Sequence, residues 1–138
     1  FGHNGTVYSP RFNTGSVQSE SRVVLDKLVR AIEESGPTPI EHVITKNVAR
    51  IRVEILGEPD EKGRTYSSLT FMLSDGESLY VLRDFTEAED YYTMYYFEPP
   101  GGAIFCQERI WSASWKPLGN RKLAIVNREG RIRIEACE

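Results

Sequence analysis

The sequence predicts an α+β fold in which two helices pack on one face of antiparallel β-structure. Three observations carry this. Apolar residues recur at helical spacing in two segments of the first half. Short alternating segments separated by turn residues fill the second half. Helices and strands also come in separate runs rather than in βαβ alternation.

The elements follow in chain order. Residues 1–8 read as a strand interrupted by an Asn4-Gly5 turn, and residues 9–16 as a loop. A helix follows over about 19–34, where Leu25, Leu28, Val29 and Ile32 form a stripe widened by Val24 and Ala31. Ser19 suits its N-cap, and Glu20 suits the positive end of the helix dipole. Ser35-Gly36-Pro37 ends it.

Thr38-Pro39-Ile40-Glu41 has the form of a capping box with proline at the first helical position. Ile40, Val43, Ile44 and Val48 give the second helix its apolar face. Ile51, Val53 and Ile55 then alternate with Arg50, Arg52 and Glu54 in a strand pattern. Whether the helix continues through them stays open at this level. Residues 57–64 form a charged surface loop. Residues 66–73 and 79–83 read as strands joined by a hairpin turn at Ser74-Asp75-Gly76-Glu77. Residues 91–97 form an aromatic strand, 103–108 another, and 123–126 pairs with 132–134 as a final hairpin. The strands are expected to form a meander of five or six. No repeat or low-complexity segment is visible.

The chain has 138 residues, a size suited to one domain. Hydrophobic residues make up 40% and charged residues 27%, which indicates a globular chain with a core. A net charge of -3 leaves no electrostatic footprint for nucleic acid. No apolar run is long enough for a membrane span, and no signal peptide is visible. Cys106 and Cys137 are too few for a disulfide framework, so a cytoplasmic, reduced protein is expected. With His3 and His42 they show no zinc spacing, and no cofactor is expected.

The chemistry of the N-terminal stretch centres on His3-Asn4-Gly5. Gly5 allows close backbone approach, and Asn4 offers an amide NH2. A side-chain amide beside a free backbone N–H can build an oxyanion hole for acyl transfer. The plainer reading of Asn-Gly is a turn. Cys106, between Phe105 and Gln107, reads as a core cysteine rather than a nucleophile. The tyrosines at 91, 92, 95 and 96 alternate across one strand and suit core and contact positions better than base stacking. Asp84, Glu87, Glu89 and Asp90 could bind a cation, but a solvated loop explains them more simply.

Several ordered motifs together resemble the class II glutamine amidotransferases, which are N-terminal-nucleophile hydrolases. His3-Asn4-Gly5 matches that family's His-Asn-Gly. Gln18-Ser19-Glu20 falls where the family has Asp-Ser-Glu. The segment from Leu69 through Asp75-Gly76 to Leu79 and Tyr80 is similar to its hairpin of the type Asn-Phe-x-Leu-x-Asp-Gly-x-x-Leu. Glu108 and the later Trp115-Lys116-Pro117-Leu118 echo two further segments.

The resemblance implies part of an αββα sandwich and hydrolysis of a glutamine-type side-chain amide. It implies an N-terminal cysteine as nucleophile, with its own α-amino group as base. Asn4 and Gly5 would then form the oxyanion hole. His3, Gln18, Ser19 and Glu20 would lie at the substrate, with His3 supporting the loop.

The family's cysteine and its carboxylate-binding arginine are not in this sequence, and Phe1 cannot be a nucleophile. The chain opens without methionine inside an apolar segment, so an N-terminal portion carrying both groups is expected upstream. Gln18 cannot neutralise an ammonium as the family's aspartate does. A non-catalytic binding or regulatory domain that keeps the fold is the alternative. Without upstream strands, one sheet face lined by Phe71, Leu79, Val81 and Tyr95 is expected to lie open. The chain would then dimerise or stay bound to the missing segment.

Overall fold

The computed structural model describes residues 1–10, 12 and 19–138. Most of the loop read over 9–16 therefore lies outside the described residues. Ten elements follow in order: β1 (Gly2–Asn4), α1 (Glu20–Glu34), α2 (Ile40–Leu56), β2 (Thr70–Ser74), β3 (Leu79–Arg83), β4 (Tyr95–Phe97), β5 (Ile104–Cys106), β6 (Lys116–Pro117), β7 (Lys122–Val126) and β8 (Ile132–Ala136). The fold is α+β, with two helices and two antiparallel sheets among the described residues.

Helix α1 starts where its cap predicts, with the Ser19 hydroxyl accepting from the Arg22 N–H at 3.3 Å. Helix α2 differs from the sequence reading at its start, and the structure decides its end, which the sequence left open. Its N-cap is Pro39, without a side-chain cap, and the Thr38 hydroxyl donates back to the Ser35 carbonyl instead. No capping box forms. The helix also continues through 51–55. Ile51 and Ile55 are buried while Val53 is 71% exposed, because 51 and 55 extend the helical row of Ile44 and Val48. The apparent alternation at 51, 53 and 55 is a coincidence of two overlapping periods.

The strands do not form one meander. The larger sheet has the order β1-β2-β3-β7-β8, so β7 pairs with β3 although three strands lie between them in sequence. Those three make a separate sheet of order β5-β4-β6. The aromatic strand is only Tyr95–Phe97, because the preceding residues turn back as the N–H groups of Tyr91 and Tyr92 reach the Ala88 carbonyl. Strand β6 gave no sequence signal: it has two residues, one of them a proline tolerated at an edge.

Side-chain alternation divides the core in two. Phe71 and Leu73 of β2 share one face with Tyr80 and Leu82 of β3 and meet Val24, Leu28, Ile44 and Ile55 of the helices. Val81 and Ala124 point the other way, against Met94 and Leu118 of the second sheet region. The expected open face is therefore not found as described. Phe71 and Val81 lie on opposite faces and both are buried. Leu79 packs with the second cluster, while Tyr95 alternates away from its inward neighbour Tyr96.

The end of β3 fastens both layers. Asp84, fully buried, pairs with Arg52 of α2 at 2.8 Å and accepts from the Tyr66 hydroxyl at 3.2 Å. It does not belong to a solvated acidic loop, unlike Glu87, Glu89 and Asp90, which are exposed. Burial pushes the Asp84 carboxyl up, against the pull of Arg52 and Tyr66. Arg83 points to the other layer. It donates to the Tyr92 carbonyl at 2.8 Å, to the Leu118 carbonyl at 2.8 Å and to the Glu89 carbonyl at 3.3 Å.

Removing one member of a buried pair strands the other. Arg52→Met should cost about 3–5 kcal/mol in urea unfolding, and adding Asp84→Asn should recover part of it. Equal losses in the single and double variants would show that the pair does not act as a unit.

Candidate functional site

Strand β1 runs along the edge of the larger sheet, paired with β2 through Gly2↔Met72, His3↔Phe71 and Asn4↔Thr70. The next contact between these strands is the isolated bridge Val7↔Tyr66. Two residues, Gly5 and Thr6, thus face three, Ser67, Ser68 and Leu69. That is a bulge between paired strands, not the Asn-Gly turn that the sequence suggests. Gly5 has φ +154°, and a Cβ placed there would lie 1.9 Å from the Ser68 carbonyl oxygen. Glycine is needed because two backbones touch.

A bulge leaves backbone groups without ladder partners. Here side chains supply them. The Thr6 N–H donates to the Ser67 hydroxyl at 2.9 Å, and the Val7 N–H donates to the Glu20 carboxylate at 3.1 Å. The Tyr92 hydroxyl donates to the same Ser67 oxygen at 2.7 Å. Ser68 is held in turn, its hydroxyl donating to the Asp84 carbonyl at 2.8 Å.

His3 lies half-buried beside the first turn of α1, with Nδ1 3.0 Å from the Ser21 hydroxyl. Its Nε2 is buried and, among the described residues, makes no hydrogen bond. Burial lowers the imidazole below its ordinary range, outweighing the Ser68 backbone and the Glu20 charge, which both favour the proton. A neutral ring suits a supporting role.

Asn4 differs from its neighbours. Among the described residues its carboxamide makes no hydrogen bond. It lines a cavity of about 240 Å3 between the sheets, with His3, Thr70, Met72, Met94 and Gln107. The walls are mainly apolar, which suits a small ligand with one or two polar contacts.

The structure thus brings His3, Asn4, Gly5 and Glu20 together. Ser19 stands just outside this group as the cap of α1, with its hydroxyl directed to the helix backbone. Gln18 lies outside the described residues. The sequence reading missed Ser21, Ser67, Tyr92 and Gln107. The adjacent serines at 67 and 68, inside an apolar strand, were the available signal for Ser67. Cys106 is half-buried in β5, and burial pushes the Cys137 thiol up to about 11, away from nucleophilic chemistry. Among the described residues no three His, Cys, Asp or Glu side chains gather as a metal site.

A histidine held neutral in the fold gives a signed pH effect. Unfolded His3 takes a proton as pH falls through about 6.5, and the folded ring resists it. The stability advantage of the wild type over His3→Gln should therefore shrink between about pH 7.5 and about pH 5 in urea titrations. An advantage that grows toward acid would mean that His3 is protonated in the fold.

No protein-family model matches the chain, and no curated protein matches it either. Among solved structures, it is similar to a glutamine aminotransferase class-II domain protein from Silicibacter pomeroyi, with a TM-score of 0.69 and 18% identity. The match covers 98% of this chain and 66% of the other, so the chain spans just under two thirds of that neighbour's length. The likeness establishes that this chain has the fold of a class II glutamine amidotransferase-type domain.

Proposed function

We propose that this chain supplies the oxyanion-binding side of an amide-hydrolysing site of the class II glutamine amidotransferase type. The observation that carries this reading is the Asn4 carboxamide, which makes no hydrogen bond among the described residues and lines a small cavity, on a segment where the N–H groups of Thr6 and Val7 are each held by a side chain. A side-chain donor positioned beside a rigid backbone is what a tetrahedral oxyanion requires.

The nucleophile in this reading is a cysteine upstream of Phe1, activated by its own amino group. It attacks the side-chain carbonyl of a glutamine-type amide, and the oxyanion takes a hydrogen bond from Asn4 and one from the Gly5 N–H. Ammonia leaves, and water or an acceptor resolves the thioester. His3 holds the segment through Ser21. The substrate's α-amino group would meet Glu20 or Gln18. An N-terminal-nucleophile hydrolase in the cytoplasm, held to its upstream segment or as a dimer, is the setting this implies.

One feature favours a second reading. Gln18 in place of an acidic residue weakens the binding of an α-ammonium. A binding or regulatory domain that keeps the fold without the chemistry would tolerate it. The upstream coding sequence separates the two: a Met-Cys start followed by an arginine-containing strand supports the enzyme, and any other start supports the binding domain.

In a longer protein that carries the cysteine, Asn4→Ala should lower kcat by roughly 10²-fold or more and leave KM nearly unchanged. The 138-residue chain alone should release no ammonia from glutamine. Full turnover in Asn4→Ala, or ammonia release by the short chain, would refute the assignment.

A further inference from the structure

We propose that Tyr92 and Ser67 are positioning residues that set the Asn4-Gly5 segment from the loop before β4. The Ser67 oxygen is the meeting point. It accepts from the Tyr92 hydroxyl at 2.7 Å and from the Thr6 N–H at 2.9 Å, and its own hydrogen faces the Thr6 carbonyl at 3.4 Å. A serine hydroxyl has two acceptor sites and one donor, so all of its capacity is used. The Ser67 N–H also donates to the Thr6 carbonyl at 2.8 Å. Thr6 is thereby gripped at both backbone groups, one residue from Gly5 and two from Asn4.

Tyr92 belongs to the other layer. It is buried at 8% exposure, and its carbonyl is fixed by Arg83, which also holds Leu118. The relay therefore runs from the loop before β4, through one phenol and one hydroxyl, to the bulge of β1. Ordinary strand pairing would fix Thr6 without help from another layer. The bulge leaves the Thr6 N–H without a backbone acceptor, and the relay supplies one at the point where geometry matters: donors to a developing oxyanion must hold position to about 0.5 Å. The inference rests on the amidase reading for its chemical meaning, and on the hydrogen bonds alone for its geometry.

The test uses the full chain with Tyr92→Phe and with Ser67→Ala, the latter leaving the tyrosine ring in place. Amide hydrogen exchange is read by NMR at Thr6, with the Leu82 and Ala124 amides as controls for the fold. Exchange at Thr6 should rise about tenfold in Ser67→Ala and about threefold in Tyr92→Phe, with the controls unchanged. Tyr80→Phe, which removes a hydroxyl bonded to Asp75, should leave Thr6 unmoved. In a longer, cysteine-bearing protein, Tyr92→Phe should lower kcat about tenfold and leave KM within about twofold. Unchanged exchange at Thr6, or an equal rise at the controls, overturns the relay. An active protein whose kcat ignores Tyr92→Phe overturns the positioning role and leaves the amidase reading intact. A longer protein with no glutaminase activity overturns the amidase reading, and the exchange data then decide the relay alone.

Discussion

The contact between Gly5 and the Ser68 carbonyl organises the candidate site. It exists because Ser68 is not free to retreat. The Ser68 hydroxyl is tied to the Asp84 carbonyl, and the Asp84 side chain is tied to Arg52 on the second helix. A chain of contacts thus leads from the helical layer, through the end of β3, to the bulge beside Asn4. Each link is buried, where a polar group without its partner is costly. The local geometry of an edge strand is therefore set by the core.

Arg83 and Asp84 are neighbours in sequence and serve opposite layers. Alternation along β3 sends Asp84 toward the helices and Arg83 toward the smaller sheet. Both side chains use their charge on groups distant in sequence. Arg83 binds three backbone carbonyls, a use suited to the planar fork of guanidinium. The second sheet has short strands, and Arg83 grips the segments that precede β4 and follow β6. Tyr92, on one of those segments, then reaches the bulge.

The elements that local pattern decides were legible in the sequence. Helix α1 with its Ser19 cap, the β2–β3 hairpin around Asp75-Gly76 and the final hairpin follow from periodicity and turn chemistry. Non-local pairing was not legible. Nothing in residues 122–126 announces that they pair with 79–83 across three intervening strands. Gly5 read as a turn glycine because Asn-Gly is a turn signal, whereas its real constraint is a backbone from another strand. Asp84 read as part of an acidic loop because three exposed carboxylates follow it. Burial set it apart, and burial depends on the tertiary partner Arg52. The candidate site was proposed from its residue types, His3, Asn4 and Gly5, whereas the groups that hold them, Ser21, Ser67 and Ser68, were not picked out by local pattern.

The claim that glycine at position 5 is required by the Ser68 backbone can be tested by comparing two glycines of the same segment. A methyl group at Gly2 would meet nothing within 4 Å, whereas one at Gly5 would overlap the Ser68 carbonyl. Urea unfolding of Gly2→Ala and Gly5→Ala reads the difference directly. The account predicts that Gly2→Ala stays within about 0.5 kcal/mol of wild type, while Gly5→Ala loses about 2 kcal/mol or more. A Gly5→Ala variant as stable as Gly2→Ala would contradict the bulge, and with it the placement of Asn4 at the cavity.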